Sequence, residues 1–567
     1  LTLFSSFSFH RRNTENTLPP MKKFIHIITE YPKTVILLNL LIIGILALPI
    51  YRIHINPNIQ ALIPADDPDV IRMEELEDQY GGLDVILIIY HAPDVFASAG
   101  LEMIDELTSE LEVLEGIDHV ISLTNYESIV SDDESMSVDK FIQAIPRSLE
   151  ESDALAAEAT SDPMIGHLIV SKDRQYTACL IFIDPAADEV SLVETLRGLL
   201  LPYQAVGHDL KLGGMPAIRS HVSLAIGHDT RTFIPAGMLL IAVLLFVSFR
   251  SRRGVALPLL VVLLSILGTL GLMSWMGLML SVLSSIMPIM LIAVASAYGI
   301  HIITRYFEDC ANMDESADSK AIVTSVIEHM LRPLFLAALT TVIGFMSLLS
   351  HVLPASREVG VLTAFGVALA FGLSITFIPA VLVLFNKPSA AHQSKNTANR
   401  LLSRVLAWIG GIVFHHRNLI LIGFGLLMIG SLIGIPRVEL DSNPLNYYSP
   451  ESSVRVINTI IDENFGGSTT MSVVIEGDVK SPEVLLQIEK IQEFLKLKEG
   501  VGYTLAITDF IKLMHQSMHG GDPAYYKIPD SRELVSQYLL LYSWESSSGY
   551  LDTYVDYDYR EAQIVIR

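Results

Sequence analysis

The chain has only two cysteines, Cys179 and Cys310, and the hydrophobic runs described below place them on opposite sides of a membrane. They cannot pair there, so neither a disulfide framework nor a cysteine metal site is expected. No Gly-x-Gly-x-x-Gly or P-loop pattern is present, which leaves no cradle for a nucleotide phosphate and argues against ATP as an energy source. A nucleophile elbow and metal-ligand spacings are also missing, so an enzyme, a cofactor and a bound metal all lack support. Cations are scarce: 38 Lys and Arg stand against 62 Asp and Glu, a formal net charge of −24. Nearly all of that imbalance lies between Arg52 and Arg231, where 33 acidic residues face 10 basic ones. So acidic a segment argues against nucleic acid as a partner.

Apolar length is what the chain has in excess. Hydrophobic residues make up 51% of the sequence and the mean hydropathy is +0.45. Runs long enough to cross a bilayer, which takes about 20 residues, identify a polytopic α-helical membrane protein. They fall at 34–51, 232–249, 255–276, 282–303, 333–350, 360–385 and 419–435. Arg250, Arg252 and Arg253 lie between the second and third runs, Arg305 after the fourth, and Lys387, Lys395, Arg400 and Arg404 after the sixth. If every run spans, these clusters share one side, and the positive-inside rule makes it cytoplasmic.

The chain then divides into a cytoplasmic start (1–33), a first span (34–51), an acidic external segment (52–231) and a five-helix block (232–386). A cytoplasmic linker (387–418), a seventh span (419–435) and a second external segment (436–567) complete it. Residues 1–20 are rich in Ser, Thr and Asn, and Met21 reads as the natural start. The other end, Gln563–Arg567, stops inside a strand-like run. In the first external segment, strand-like runs at 85–90, 120–123, 167–170 and 176–183 alternate with helical stripes at 101–114 and 190–201. That alternation predicts βαβ units covering a sheet. Gly81-Gly82 predicts a turn before the first strand, and Gly213–Pro216 a break before a helix entering the membrane.

The sequence also repeats itself. Arg52-Ile-His-Ile-Asn56-Pro-Asn58 returns as Arg437-Val-Glu-Leu-Asp441-Ser-Asn443, at an offset of 385. At the same offset Tyr80-Gly81-Gly82 falls on Phe465-Gly466-Gly467, and Glu115-Gly116-Ile117 meets Glu499-Gly500-Val501 with one residue of slippage. Duplicated halves are a common transporter plan, with sites at the interface of the repeats. A completed repeat would add five more helices, so the chain is expected to be truncated.

Function is expected in the run 282–305, which is interrupted by Ser296, Tyr298 and His301. Tyr298 and His301 are three apart and share a helix face. A polar group at membrane depth is costly and points to function by default. His301 is the ionisable candidate, because histidine titrates near neutrality and responds to its surroundings. Tyr298 offers a relay hydroxyl, and Thr340 and Thr341 on the next helix offer hydrogen bonds toward it. A packing role competes for each of these residues; threonines in membrane helices often bond their own carbonyls. Pro288 is expected to kink the helix, and Gly268, Gly271 and Gly344 to permit close helix contact.

Taken together, these features resemble the resistance–nodulation–division (RND) superfamily, and within it the MMPL-type exporters of hydrophobic and amphiphilic molecules. The residues carrying the likeness are Asn58-Ile-Gln-Ala-Leu-Ile-Pro64, Tyr80-Gly81-Gly82, Gly214-Met-Pro216 and Phe249–Arg253. Further on they are Ala297-Tyr298-Gly299-Ile300-His301 with Arg305-Tyr306, and Leu339–Phe345. Helices two to six also look like a sterol-sensing arrangement. The resemblance implies an inner-membrane, proton-driven exporter of lipid-like molecules. Its extracytoplasmic domains would be porter-type, built from ferredoxin-like βαβ subdomains. Many members carry an Asp-Tyr pair on the fourth helix; here the Asp position is Ala297, while Tyr298 matches. The alternative is a non-transporting lipid sensor or scaffold built on the same helix block. Membrane lipids and a hydrophobic small molecule are the expected partners, and a homo-oligomer stays open.

Overall fold

The structure, a computed structural model, describes residues 19–567 apart from 59–62, 65, 81–84, 133–134, 163–164, 167, 185, 314–317, 386–399, 440–445, 447 and 546–549. The Gly81-Gly82 turn, the middle of the Asn58–Pro64 motif, His167, most of the linker, and Asp441 and Asn443 of the repeat lie outside the described residues. In order, the chain forms α1 (Pro19–Glu30), α2 (Pro32–Ala47), α3 (Pro68–Tyr80), β1 (Val85–His91), α4 (Ser98–Glu112), β2 (Ile117–Ile121), β3 (Glu127–Asp132) and β4 (Ser135–Lys140). There follow α5 (Leu149–Ser161), β5 (Tyr176–Ile183), α6 (Glu189–Val206), β6 (Asp209–Gly213) and the long helices α7 (Met215–Phe249), α8 (Arg252–Trp275), α9 (Met287–Asn312), α10 (Ser319–Met346) and α11 (Pro354–Leu384). Last come α12 (Arg400–His415), α13 (Arg417–Gly434), α14 (Ser453–Asn464), β7 (Met471–Glu476), α15 (Pro482–Lys496), β8 (Thr504–Leu505), α16 (Ile507–Ser517), α17 (Arg532–Glu545) and β9 (Glu561–Ile566).

Two compact units result. One holds residues 1–64 and 224–439; the other holds 65–223 and 440–567. In the helical unit, seven helices among the described residues are long and apolar enough to cross a membrane, matching the seven runs. They are not equally enclosed. In α8 and α9 56% of the apolar window is buried, and in α11 50%, against 11% for α2, α7 and α10 and none for α13. The chain is thus a multi-pass membrane protein with an inner layer of α8, α9 and α11.

Small residues set that layer's spacing. A β-carbon at Gly271 would collide with the Leu46 carbonyl oxygen of α2, and one at Gly268 would press on Leu369 and Ile43. Both glycines therefore permit the close approach expected of them. Gly344 does not, since nothing lies within 4 Å of its β-carbon position. Pro288 also departs from expectation. Residues 284–286 form a 3₁₀ turn and α9 begins at Met287, so Pro288 occupies the first turn. Its missing N–H has no intrahelical partner to lose there, and no kink follows.

In the other unit, the first sheet has the order β2-β5-β1-β6 with every neighbouring pair antiparallel. Each βαβ unit is therefore split by a strand of the other. The α4 stripe of Leu101, Ile104, Leu107 and Leu111 is buried in the core of this unit. The strand expected at 167–170 does not form: Val170 makes only an isolated bridge to Thr177, because the chain turns straight into β5. Four elements without long apolar runs escaped the sequence pattern: the β3–β4 hairpin, α3, α5 and β6. Gly214, at φ +90, joins β6 to α7 where a β-carbon would meet the Val85 carbonyl oxygen.

The second sheet has the order β7-β9-β8. The two segments clasp one another. Ile457 of α14 packs on Gly213 of β6, while Arg72 and Gln79 of α3 reach Glu561 of β9. Buried His515 of α16 shares a 2.9 Å hydrogen bond with the Tyr538 hydroxyl. Burial, then His519 and Lys527, holds its pKa below the ordinary histidine value, with Asp530 opposing. His515 thus favours the neutral form in the fold. Its contribution to stability is complete above the ordinary value and is lost as pH falls through the depressed one. Acidifying the whole protein from about pH 7.5 to about pH 5 should lower its melting temperature, and His515→Gln should flatten that dependence; equal slopes in the two proteins would refute this role.

Candidate functional site

The rotation of α9 is fixed by its contact with α8. A β-carbon at Gly299 would lie 2.8 Å from Pro258, so the helix backbones meet there. At 3.6 residues per turn, His301 lies about 200° round from Gly299 and faces away from α8. Tyr298 lies on α9 beside the same contact, buried at 4% exposure, with its ring edge-on to Phe371 of α11 at 6.3 Å.

Facing α10, these residues open into a cavity of about 450 Å³. Ala297, Tyr298 and His301 line it from α9; Pro333, Ala337 and Thr341 line it from α10. Apolar carbon makes up most of the wall. His301 is exposed and is the one histidine among the described lining residues. The Tyr298 hydroxyl is buried and has no hydrogen-bond partner among the described residues, with Thr341 as a polar neighbour. The Asp position of the resembled family, Ala297, forms part of the same wall.

Of the five residues singled out, the structure thus gathers Tyr298, His301 and Thr341. Ser296 is buried elsewhere on α9 and donates to the Ala293 carbonyl at 3.1 Å. Thr340 does not line the cavity; its hydroxyl is 3.0 Å from the Leu336 carbonyl and 2.9 Å from that of Ala337. Thr341 likewise donates to Ala337, at 2.8 Å. Both threonines satisfy themselves on their own helix, the packing role set against coupling from the outset.

Sequence reasoning missed Asp309. It is 5% exposed on α9, with Oδ1 3.0 Å from Arg305 Nε in an ion pair not aligned as a hydrogen bond, and Oδ2 without a hydrogen-bond partner among the described residues. Its signal was the four-residue spacing from Arg305; eleven residues, close to three turns, separate it from Tyr298. Cys179 and Cys310 are both buried, and neither is in a disulfide. Among the described residues no group of three His, Cys, Asp or Glu could hold a metal.

Comparison with known proteins places this helix block. The sequence profile of the MMPL family matches residues 96–412. A Methanocaldococcus jannaschii protein described as a membrane protein is 22% identical over 381 residues, covering 64% of this chain and 93% of its own length. The hopanoid transporter HpnN of Rhodopseudomonas palustris is 26% identical over 229 residues, 39% of this chain and 24% of the transporter. The sulfolipid-1 exporter MmpL8 of Mycobacterium tuberculosis is 21% identical over 226 residues, 39% of this chain and 20% of the exporter.

The unpaired Tyr298 hydroxyl provides a test. Leaving a buried hydroxyl unsatisfied costs about 1–3 kcal/mol, so Tyr298→Phe should leave the melting temperature in detergent unchanged or raised. A clear fall would reveal a structural hydrogen bond and remove Tyr298 from the site.

Proposed function

The chain belongs to the MMPL family, and from that premise we propose that it works as an RND-type secondary exporter of lipids or other hydrophobic molecules, driven by the proton gradient. The observation that carries this reading is the cavity between α9 and α10, lined inside an apolar helix block by His301 and by Tyr298, whose buried hydroxyl has no hydrogen-bond partner among the described residues. His301 takes the place of the carboxylate that Ala297 lacks, accepting and releasing a proton as its surroundings change. One charge crossing 100 mV releases about 2.3 kcal/mol, enough for one or a few protons to move a lipid against a modest gradient. Relatives named as transporters of a hopanoid and a sulfolipid support a lipid-like cargo and a role outside enzymology.

The architecture is read the same way. The order β2-β5-β1-β6 is that of a ferredoxin-like βαββαβ subdomain carrying an inserted hairpin and helix. The order β7-β9-β8 corresponds to β1, β5 and β2 of that pattern. At an offset near 385, α13 falls on α2, α14 on α3, β7 on β1, α15 on α4 and β8 on β2, which supports a duplicated module. The basic clusters orient the α/β domains to the extracytoplasmic side of an inner membrane.

Ala297 favours a second reading, a lipid sensor that moves nothing. Measuring lipid accumulation or efflux in a deletion strain complemented by the full-length protein separates the two. Export should fall when an uncoupler is added, and His301→Leu should abolish it while the protein still reaches the membrane. Uncoupler-insensitive export, or full activity in His301→Leu, would overturn proton coupling through this residue.

A further inference from the structure

Among the described residues of the helical unit, Asp309 of α9 is the one buried carboxylate; the others there are exposed or, like Glu358, half-buried. An ionised carboxylate can accept several hydrogen bonds, and taking it out of water without them carries a heavy desolvation cost. Asp309 has little such support. Its Oδ1 meets Arg305 Nε at 3.0 Å off the hydrogen-bond direction, and its buried Oδ2 has no hydrogen-bond partner among the described residues. A pair that only braced the helix would need neither feature, since exposed partners four residues apart do so without leaving water. Arg305 also reaches the other way, where its Nη1 lies 3.8 Å from Oε2 of exposed Glu308. The guanidinium thus stands between a carboxylate closed to water and one open to it.

The buried carboxylate also ends a series. The Tyr298 and Tyr306 hydroxyls and Asp309 Oδ2 are all buried on α9 without a hydrogen-bond partner among the described residues. At about 100° and 1.5 Å per residue, Tyr306 stands about 80° round and 12 Å along from Tyr298, and Asp309 about 20° round and 17 Å along. Unpaired oxygens therefore follow one side of the helix from the cavity wall to its Arg305 end. An ionisable group at such a place in a membrane helix points to function, with Arg305 as its partner. We propose that Asp309 receives the proton used in each export cycle and releases it at the Arg305 end of α9, an assignment that rests on the proton-driven reading above. A proton leaving the cavity, relayed by water across intervals longer than one hydrogen bond, forms an O–H bond at Oδ2. The acid is then neutral and Arg305 turns to Glu308. Loss of that proton to water beside Arg305 breaks the O–H bond and restores the carboxylate and its pair. His301 and Asp309 have separate tasks, uptake at the cavity and release at the helix end.

The first test needs no cargo. The full-length protein is reconstituted in phosphatidylcholine vesicles, and infrared difference spectra are recorded between acidic and alkaline buffer. One protonated-carboxyl band of the wild type should be missing in Asp309→Asn and shifted in Asp309→Glu, which keeps the charge. Identical carboxyl bands in all three proteins would overturn protonation of Asp309, and where Asp309→Asn fails to fold, an unshifted band in Asp309→Glu does the same. The second test measures lipid accumulation in the deletion strain. Asp309→Asn should lose the uncoupler-sensitive part of export and Asp309→Glu should recover it, while both melt in detergent as the wild type does. Uncoupler-sensitive export by Asp309→Asn at the wild-type level would overturn the release role alone. Wild-type export that ignores the uncoupler would overturn the proton-driven reading, and the release role with it, whatever the infrared spectra show.

Discussion

Where the backbones of α8 and α9 touch, at Gly299 against Pro258, the rotation of the central helix is decided. In lipid, helices gain little from hiding apolar surface from one another, and small residues that let backbones approach supply much of the packing energy. A second contact of the same kind lies on α11, where a β-carbon at Gly366 would sit 2.6 Å from the Thr269 hydroxyl of α8 and 2.7 Å from Leu291 of α9. Held from both sides, α9 turns His301 toward α10 and lays Tyr298 against Phe371. The polar groups of the cavity thus depend on residues with no chemistry of their own.

The same economy appears in how the bundle treats its hydroxyls. Ser265, Thr269, Ser296, Thr340 and Thr341 each return their hydrogen to a carbonyl of their own helix. That satisfies the donor without committing the side chain to a neighbour. Tyr298 reaches too far from the backbone to do this, and its hydroxyl is left buried without a hydrogen-bond partner among the described residues. Asp309 forms a different kind of buried polar group on α9, paired with Arg305 one turn away.

The α/β unit relies on ordinary aqueous physics. Its two sheets join cores through α14 on β6, and polar side chains of α3 reach β9 in return. Apolar strands such as Val85–His91 and Tyr176–Ile183 were legible because their burial is continuous. The β3–β4 hairpin and α5 were not, since a strand of mixed polarity such as Glu127–Asp132 and a helix rich in alanine and acid carry little periodic signal. The strand expected at 167–170 failed for a related reason: Leu168, Ile169 and Val170 are apolar and buried, yet a turn claims them, and burial alone does not make a strand.

By itself the sequence determined the seven membrane helices, because a bilayer demands about 20 apolar residues whatever the neighbours do. It also marked the run holding Tyr298 and His301, since a polar group there stands out against its surroundings. Only the tertiary structure decided that Thr341 joins them while Ser296 and Thr340 do not, that Pro288 begins a helix it was expected to bend, and that Gly344 faces open space. The physical reason is that hydropathy fixes depth in a membrane, whereas the direction of a side chain follows from helix rotation, and rotation is set by contacts between residues far apart in the chain.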